Sequence, residues 1–296
     1  MVRSRGYYTV LHLVQHNAKV YIGARSQTKA DKAIVSIRKQ LPSADIQLLI
    51  MDHMSLESVV AAAKGFISKE PALHGLINNA GIMAVPWEQS QDGYESQWQT
   101  NYLSHWLLTF HLLPILCRTA ERLREPGVAR IVNVSSQGHR FAPTVGIDFL
   151  NLDQKSGSPY SRYGVSKLGN ILHAKEIDRR YGPRGECTTG AEGIRVAAIH
   201  PGNSPTDLNR NSAIMGPYVD CVTPIFRLFG LYISIDQCSY NSLYVSASDR
   251  FSADDSGQYF TPIAKKAAAN CQANDMKMAA KLWEWTEREM KEKGLL

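Results

Sequence analysis

YSRYGVSKLGNILHAKEIDRRYG (residues 160–182), followed closely by GIRVAAIHPG (residues 193–202), decides the fold class. The first stretch reads as one long helix and the second as a strand broken by Pro201 and Gly202. The alternation extends outward in both directions. Toward the N-terminus lie the strand ARIVNVSS (129–136), a helix expected from about Gly93 to Leu123, and the short strand LHGLINNAG (73–81). Before them come a helix from about Ser55, the strand DIQLLIMD (45–52), a polar helix from Lys29 to Leu41 and the strand AKVYIGAR (18–25). Toward the C-terminus a lid-like segment (203–233) precedes a helix at Asp236 to Ser248, the strand GQYFTPI (257–263) and a polar helix. Such order predicts an α/β, Rossmann-like, doubly wound parallel sheet with helices on both faces. A length of 296 residues suits one domain over 1–296.

Composition narrows the classes. The chain is 44% hydrophobic and 20% charged, with a formal net charge of +6 and no dense Lys/Arg block, so nucleic-acid binding is not expected. Cys117, Cys187, Cys221, Cys238 and Cys271 are widely spaced and contain no Cys-x-x-Cys pair, which argues against a disulfide framework or a zinc site. Gln15 and His16 interrupt the N-terminal apolar run, so no secretory signal is read and a cytoplasmic location is expected. The apolar stretch from Tyr218 to Ile235 carries Asp220 and Arg227, which disfavours a membrane span.

The chemistry-bearing residues cluster at strand ends. Tyr163 and Lys167, four apart on a helix, share a face. A nearby ammonium favours a phenolate, so the pair suits acid–base work near neutrality. By itself the spacing more often marks a packed tyrosine and a solvated lysine. Ser136 ends the strand IVNVSS, at the edge where open α/β sheets bind ligands, and could hydrogen-bond a carbonyl or hydroxyl. Gly81 allows close backbone approach after Asn78 and Asn79. Asn101 falls inside the long helix, where asparagine has poor propensity; an exposed or capping asparagine explains it as well. Thr206 stands beyond the Pro201–Gly202 turn.

In this order, NNAG, the helix asparagine, the Ser-ended strand, Tyr-x-x-x-Lys and the Pro-Gly turn resemble the short-chain dehydrogenase/reductase family, from Gly6 to the last helix. The resemblance implies hydride transfer with a nicotinamide cofactor. Tyr163 would be the general acid/base, Lys167 would bind the nicotinamide ribose and tune Tyr163, Ser136 would orient the substrate carbonyl, and Asn101 would hold a relay water. Asn79 would border the adenine ribose, Thr206 the carboxamide or phosphate side, and Asp52 is grouped with the cofactor-binding residues. The 27 residues from Ser136 to Tyr163, with GIDFLNLD between them, are similar to the retinol-dehydrogenase-like and WW-domain-oxidoreductase-like branch, including fungal reductases of secondary metabolism; LWEWTEREM resembles those fungal members. Arg25, at the end of the second strand of that pattern, can pair with a 2′-phosphate, so NADP(H) is the expected cofactor. The expected ligand is a hydrophobic, polyketide-like carbonyl or alcohol under the apolar lid. Pairing of the two long helices between copies would give a homodimer or homotetramer.

The start of the chain departs from the pattern. Members begin with a strand and a turn of several glycines, yet only MVRSR precedes Gly6. A first strand is therefore expected to be missing, with Arg3 and Arg5 on ground where a cofactor would lie. A truncated or mis-started chain is the leading explanation. The alternative is a diverged, non-catalytic member of the same fold.

Overall fold

The computed structural model describes residues 4–188, 193–204 and 232–296. Helix α1 (Arg5–Gln15), capped by the Ser4 hydroxyl, leads to β1 (Val20–Ala24), α2 (Gln27–Arg38) and β2 (Ile46–Ile50). Then follow α3 (Leu56–Ile67), β3 (Gly75–Asn78), a short helix α4 (Ser96–Trp98), a π-helical turn (Gln99–Leu103) and α5 (Ser104–Leu123). The second half adds β4 (Ala129–Val134), α6 (Pro159–Tyr181) and β5 (Ile194–Ile199). It closes with α7 (Tyr240–Ala247), β6 (Tyr259–Thr261), β7 (Lys265–Lys266) and α8 (Met276–Glu292). Ser26, Ser55 and Ser158 each accept a backbone N–H at the start of their helices, as N-caps do. The long helix begins at Ser96 rather than Gly93, because the Glu95 carboxylate takes the Trp98 N–H at 2.8 Å.

The strands fall into two sheets, β1-β2 and β3-β4-β5-β6-β7. Their pairs are parallel except β6–β7, which forms an antiparallel edge hairpin that the uniformly parallel expectation did not include. No hydrogen-bonded ladder joins β1 to β3 among the described residues, so the place of the expected missing strand is a break in the sheet. Burial registers that break. Every residue of β5 is buried and β4 is nearly so, as befits strands covered on both faces. In β1 no residue is fully buried, and Ile50 at the end of β2 is 50% exposed.

Hydrophobic packing follows the same division. One cluster joins α3, α5, α6, α8 and the central strands, whereas Tyr7, Leu11, Val14, Ile34, Ile37, Ala44 and Ile46 form a smaller one around α1, α2 and β2. Helix α8 is amphipathic rather than simply polar and buries Leu282, Trp283, Thr286 and Met290. Trp283 packs edge-on to Trp106 of α5 at 5.1 Å, and the Arg180 guanidinium of α6 lies 4.8 Å from the Trp283 ring centroid. Tyr102 shares a 2.8 Å hydrogen bond with Thr286. Thus α8 covers part of the two helices expected to pair between copies, and pairing through those faces requires it to move.

Candidate active site

The carboxyl ends of β3, β4 and β5 converge on α6. Ser135 Oγ donates to the Lys167 carbonyl at 2.7 Å, fixing the end of β4 against α6. Ser136 then opens a 3₁₀ turn (Gln137–Phe141) and its Oγ accepts the Gly138 N–H at 3.0 Å. Gly138 is there for space: a Cβ would stand 2.6 Å from Cε1 of Tyr163. The Ser136 hydroxyl hydrogen-bonds the buried Tyr163 phenol.

Lys167 Nζ is buried, donates to the Val134 carbonyl at 2.9 Å, and lies 5.8 Å from the Tyr163 ring centroid. Burial, reinforced by Arg5, lowers its pKa to about 7. Burial raises the pKa of Tyr163, opposed by the Ser136 hydrogen bond and by Arg5. Desolvation is the largest influence on both groups.

Asn101 occupies the π-helical turn and is fully buried, so it is neither an exposed nor a capping residue. Its Oδ1 accepts the Ile82 N–H at 2.9 Å, and its Nδ2 donates to the Ile82 carbonyl and to Ser166 Oγ at 3.0 and 2.9 Å. His105 Nδ1 donates to the Asn101 backbone carbonyl at 2.9 Å. Asn101 thereby ties the loop after β3 to α6. A Cβ on Gly81 would lie 3.0 Å from Asn101 Oδ1 and 3.3 Å from Lys167 Nζ, which explains the need for close approach there.

Other anticipated residues lie farther apart. Asn78 is buried and donates to Thr109 and Asn133, whereas Asn79 is exposed. Arg25 stands exposed just beyond β1; Asp52, just beyond β2, accepts the Met54 N–H at 2.9 Å. Thr206 and most of the anticipated lid lie outside the described residues, as does Arg3. Arg5 acts electrostatically on Tyr163, Lys167 and His200, and its buried Nε has no hydrogen-bond partner. These observations place the guanidinium beside the site, as the opening residues suggested.

Sequence reading missed His139 and His200. His139 donates through Nδ1 to the Ser136 carbonyl at 2.7 Å, and His200 accepts the Gln137 N–H at 3.4 Å. A histidine three residues after Ser136, within one turn, was the available signal for the first. His200 lay in plain view after β5, but its alignment with Gln137 depends on the β4–β5 register.

The family profile described as short chain dehydrogenase matches residues 4–147. A short-chain dehydrogenase/reductase of Aspergillus calidoustus, drtF, is 49% identical over 98% of this chain and 91% of its own length. The chain belongs to the short-chain dehydrogenase/reductase family. Mouse retinol dehydrogenase 12 is 32% identical over 94% of this chain and 80% of its own length. A solved Mycobacterium paratuberculosis protein has a TM-score of 0.70 and 27% identity, covering 97% of this chain and 89% of its own. This membership agrees with the resemblance carried by the motifs.

For this short-chain dehydrogenase/reductase, the side chains fit a nicotinamide nucleotide unevenly. Lys167 has N–H donors beyond the one given to Val134, beside Tyr163 and the close-approach glycine Gly81. At the other end, the α1 N-terminus supplies only Gly6, whose Cβ position lies 3.2 Å from Asn79 Nδ2, with Arg5 alongside. The reactive end fits; a multi-glycine pyrophosphate cradle is not formed by the described residues. Among those residues, no group of three or more His, Cys, Asp or Glu side chains could hold a metal ion, and no helix is long and apolar enough to cross a membrane.

Proposed function

We propose that this protein is an NADP(H)-dependent oxidoreductase that interconverts a carbonyl and a primary or secondary alcohol on a hydrophobic small molecule. The observation that carries the reading is the convergence of Ser136, Tyr163 and Lys167 at one end of the sheet. A nicotinamide supplies or accepts the hydride. Ser136 orients the reacting oxygen, Tyr163 passes it a proton, and Lys167 holds the ribose side and adds its charge beside a phenol governed first by burial. Asn101 holds the loop after β3 against α6, so that Gly81 and Lys167 stay in register.

Arg25 is the residue that favours a 2′-phosphate, because its exposed guanidinium stands at the end of β1. Asn79 and Asp52 border the nucleotide and Thr206 its carboxamide or phosphate side. The rim supports an apolar ligand: Phe141 is 56% exposed, packs edge-on to Tyr160 at 5.6 Å, and stands with exposed Val145 close in sequence to the Ser136 turn. A polyketide-like carbonyl in a cytoplasmic secondary-metabolic step suits that surface. Depletion of NADPH with a panel of aromatic ketones and aldehydes tests the proposal. Turnover that disappears in Tyr163→Phe supports it; cofactor binding without any turnover overturns it in favour of a non-catalytic relative.

A further inference from the structure

We propose that His139 is a positioning residue for Ser136, acting through its ring Nδ1–H on the Ser136 carbonyl, so that the Ser136 hydroxyl stays aimed at Tyr163. This rests on the role proposed above for Ser136.

Ser136 has one hydroxyl proton and two lone pairs. The Gly138 N–H occupies one acceptor site at 3.0 Å while the hydroxyl also engages the Tyr163 phenol. Both contacts require the backbone from Ser136 to Gly138 to remain in one tight turn. His139 closes that turn twice. Its backbone N–H and its ring Nδ1 reach the same Ser136 carbonyl, at 3.1 and 2.7 Å.

A carbonyl only accepts, so Nδ1 carries the hydrogen. Burial pulls the His139 pKa below its ordinary value and favours the neutral ring, leaving Nε2 with a bare lone pair. That nitrogen is buried and has no hydrogen-bond partner among the described residues. The side chain is fully buried and packs edge-on against Tyr259 of β6 at 5.2 Å. An apolar side chain would fill this space without burying an unsatisfied nitrogen. The geometry thus favours a residue retained for its donor. Because the ring hydrogen is on Nδ1 in both the neutral and protonated forms, the tether to Ser136 persists through titration.

The test compares the parent with His139→Leu, which removes the donor, and His139→Asn, which offers a side-chain N–H at a similar distance from the backbone. The parent ring should show the neutral Nδ1–H tautomer by nitrogen NMR at pH 7. The Gly138 amide signal should move in His139→Leu in the same direction as in Ser136→Ala, and return toward the parent position in His139→Asn. With NADPH and a carbonyl substrate, kcat should fall roughly 10- to 100-fold in the leucine variant and recover in the asparagine variant, while the NADPH Kd stays within about two-fold. An Nε2–H tautomer, or a Gly138 signal insensitive to His139→Leu, would overturn the inference even without turnover. Parallel losses of kcat and cofactor affinity, unrelieved by asparagine, would also overturn it. Absence of turnover in the parent with the expected NMR response would instead count against the proposed activity alone. If the leucine variant does not fold, the parent tautomer and the asparagine variant's Gly138 signal decide the matter.

Discussion

Lys167 Nζ donates to the Val134 carbonyl at 2.9 Å, so the end of β4 holds the ammonium that faces Tyr163. With its pKa lowered to about 7 by burial, Lys167 changes charge within the working pH range. The rate profile of carbonyl reduction should therefore contain an ionisation near neutrality that is absent from Lys167→Met. The same variant should lose NADPH affinity, whereas Tyr163→Phe should lose about 10²–10⁴-fold in kcat with near-parent affinity. A parent-like NADPH Kd in Lys167→Met would contradict the double role.

Arg25 supplies a second prediction. Arg25→Asp removes the guanidinium and places a carboxylate opposite the proposed 2′-phosphate, so preference should shift toward NAD(H). The ratio of kcat/KM values with the two cofactors is the measurement. An unchanged ratio would remove Arg25 from the site.

The break between β1 and β3 gives a third. Fusing an apolar strand and a glycine-rich turn ahead of Ser4 should raise Tm and tighten NADPH binding relative to the unextended chain, whose affinity is expected to be poor. The gain in stability comes mainly from burial. Gly23 of β1 is exposed, so water can serve backbone groups near it. Equal Tm and Kd in calorimetry of the two chains would show that the existing α1 N-terminus suffices.

Acid sensitivity follows from buried histidines. Burial is the largest influence lowering the pKa of His173 to about 3 and of His200 to about 4; Arg5 and His139 add to the effect on His200. The unfolded chain takes up protons near pH 6.5 while these native rings remain neutral, so stability falls as pH drops from about 6.5 toward 4. The loss at pH 4 is on the order of 3 kcal/mol for each ring. Urea melts between pH 7 and 4 should show this decline, and His173→Phe should flatten it.

Trp283 tests the covering role of α8. Trp283→Ala should cost about 3–5 kcal/mol, because the ring is buried among Trp106, His173 and Arg180. Loosening α8 should also uncover apolar faces of α5 and α6, promoting self-association detectable by sedimentation velocity. A stable variant with the parent's sedimentation coefficient would show that the cover is dispensable.

The alternation of β4, α6 and β5 was legible because each element carries its own local signal: continuous apolar runs for doubly covered strands, and serine caps at helix starts. Ser136, Tyr163 and Lys167 were legible because their places in those elements bring them to one end of the sheet. That only five residues precede Gly6 was likewise visible, and among the described residues no ladder joins β1 to β3. Tertiary structure decided the rest. Only packing set burial above charge at Tyr163 and Lys167, engaged the Asn101 amide with Ile82 and Ser166, and laid α8 over α5 and α6. It also closed His139 onto the Ser136 carbonyl. Periodicity and local spacing specify which face a residue occupies, whereas desolvation and a particular hydrogen-bond partner depend on atoms brought together from distant segments.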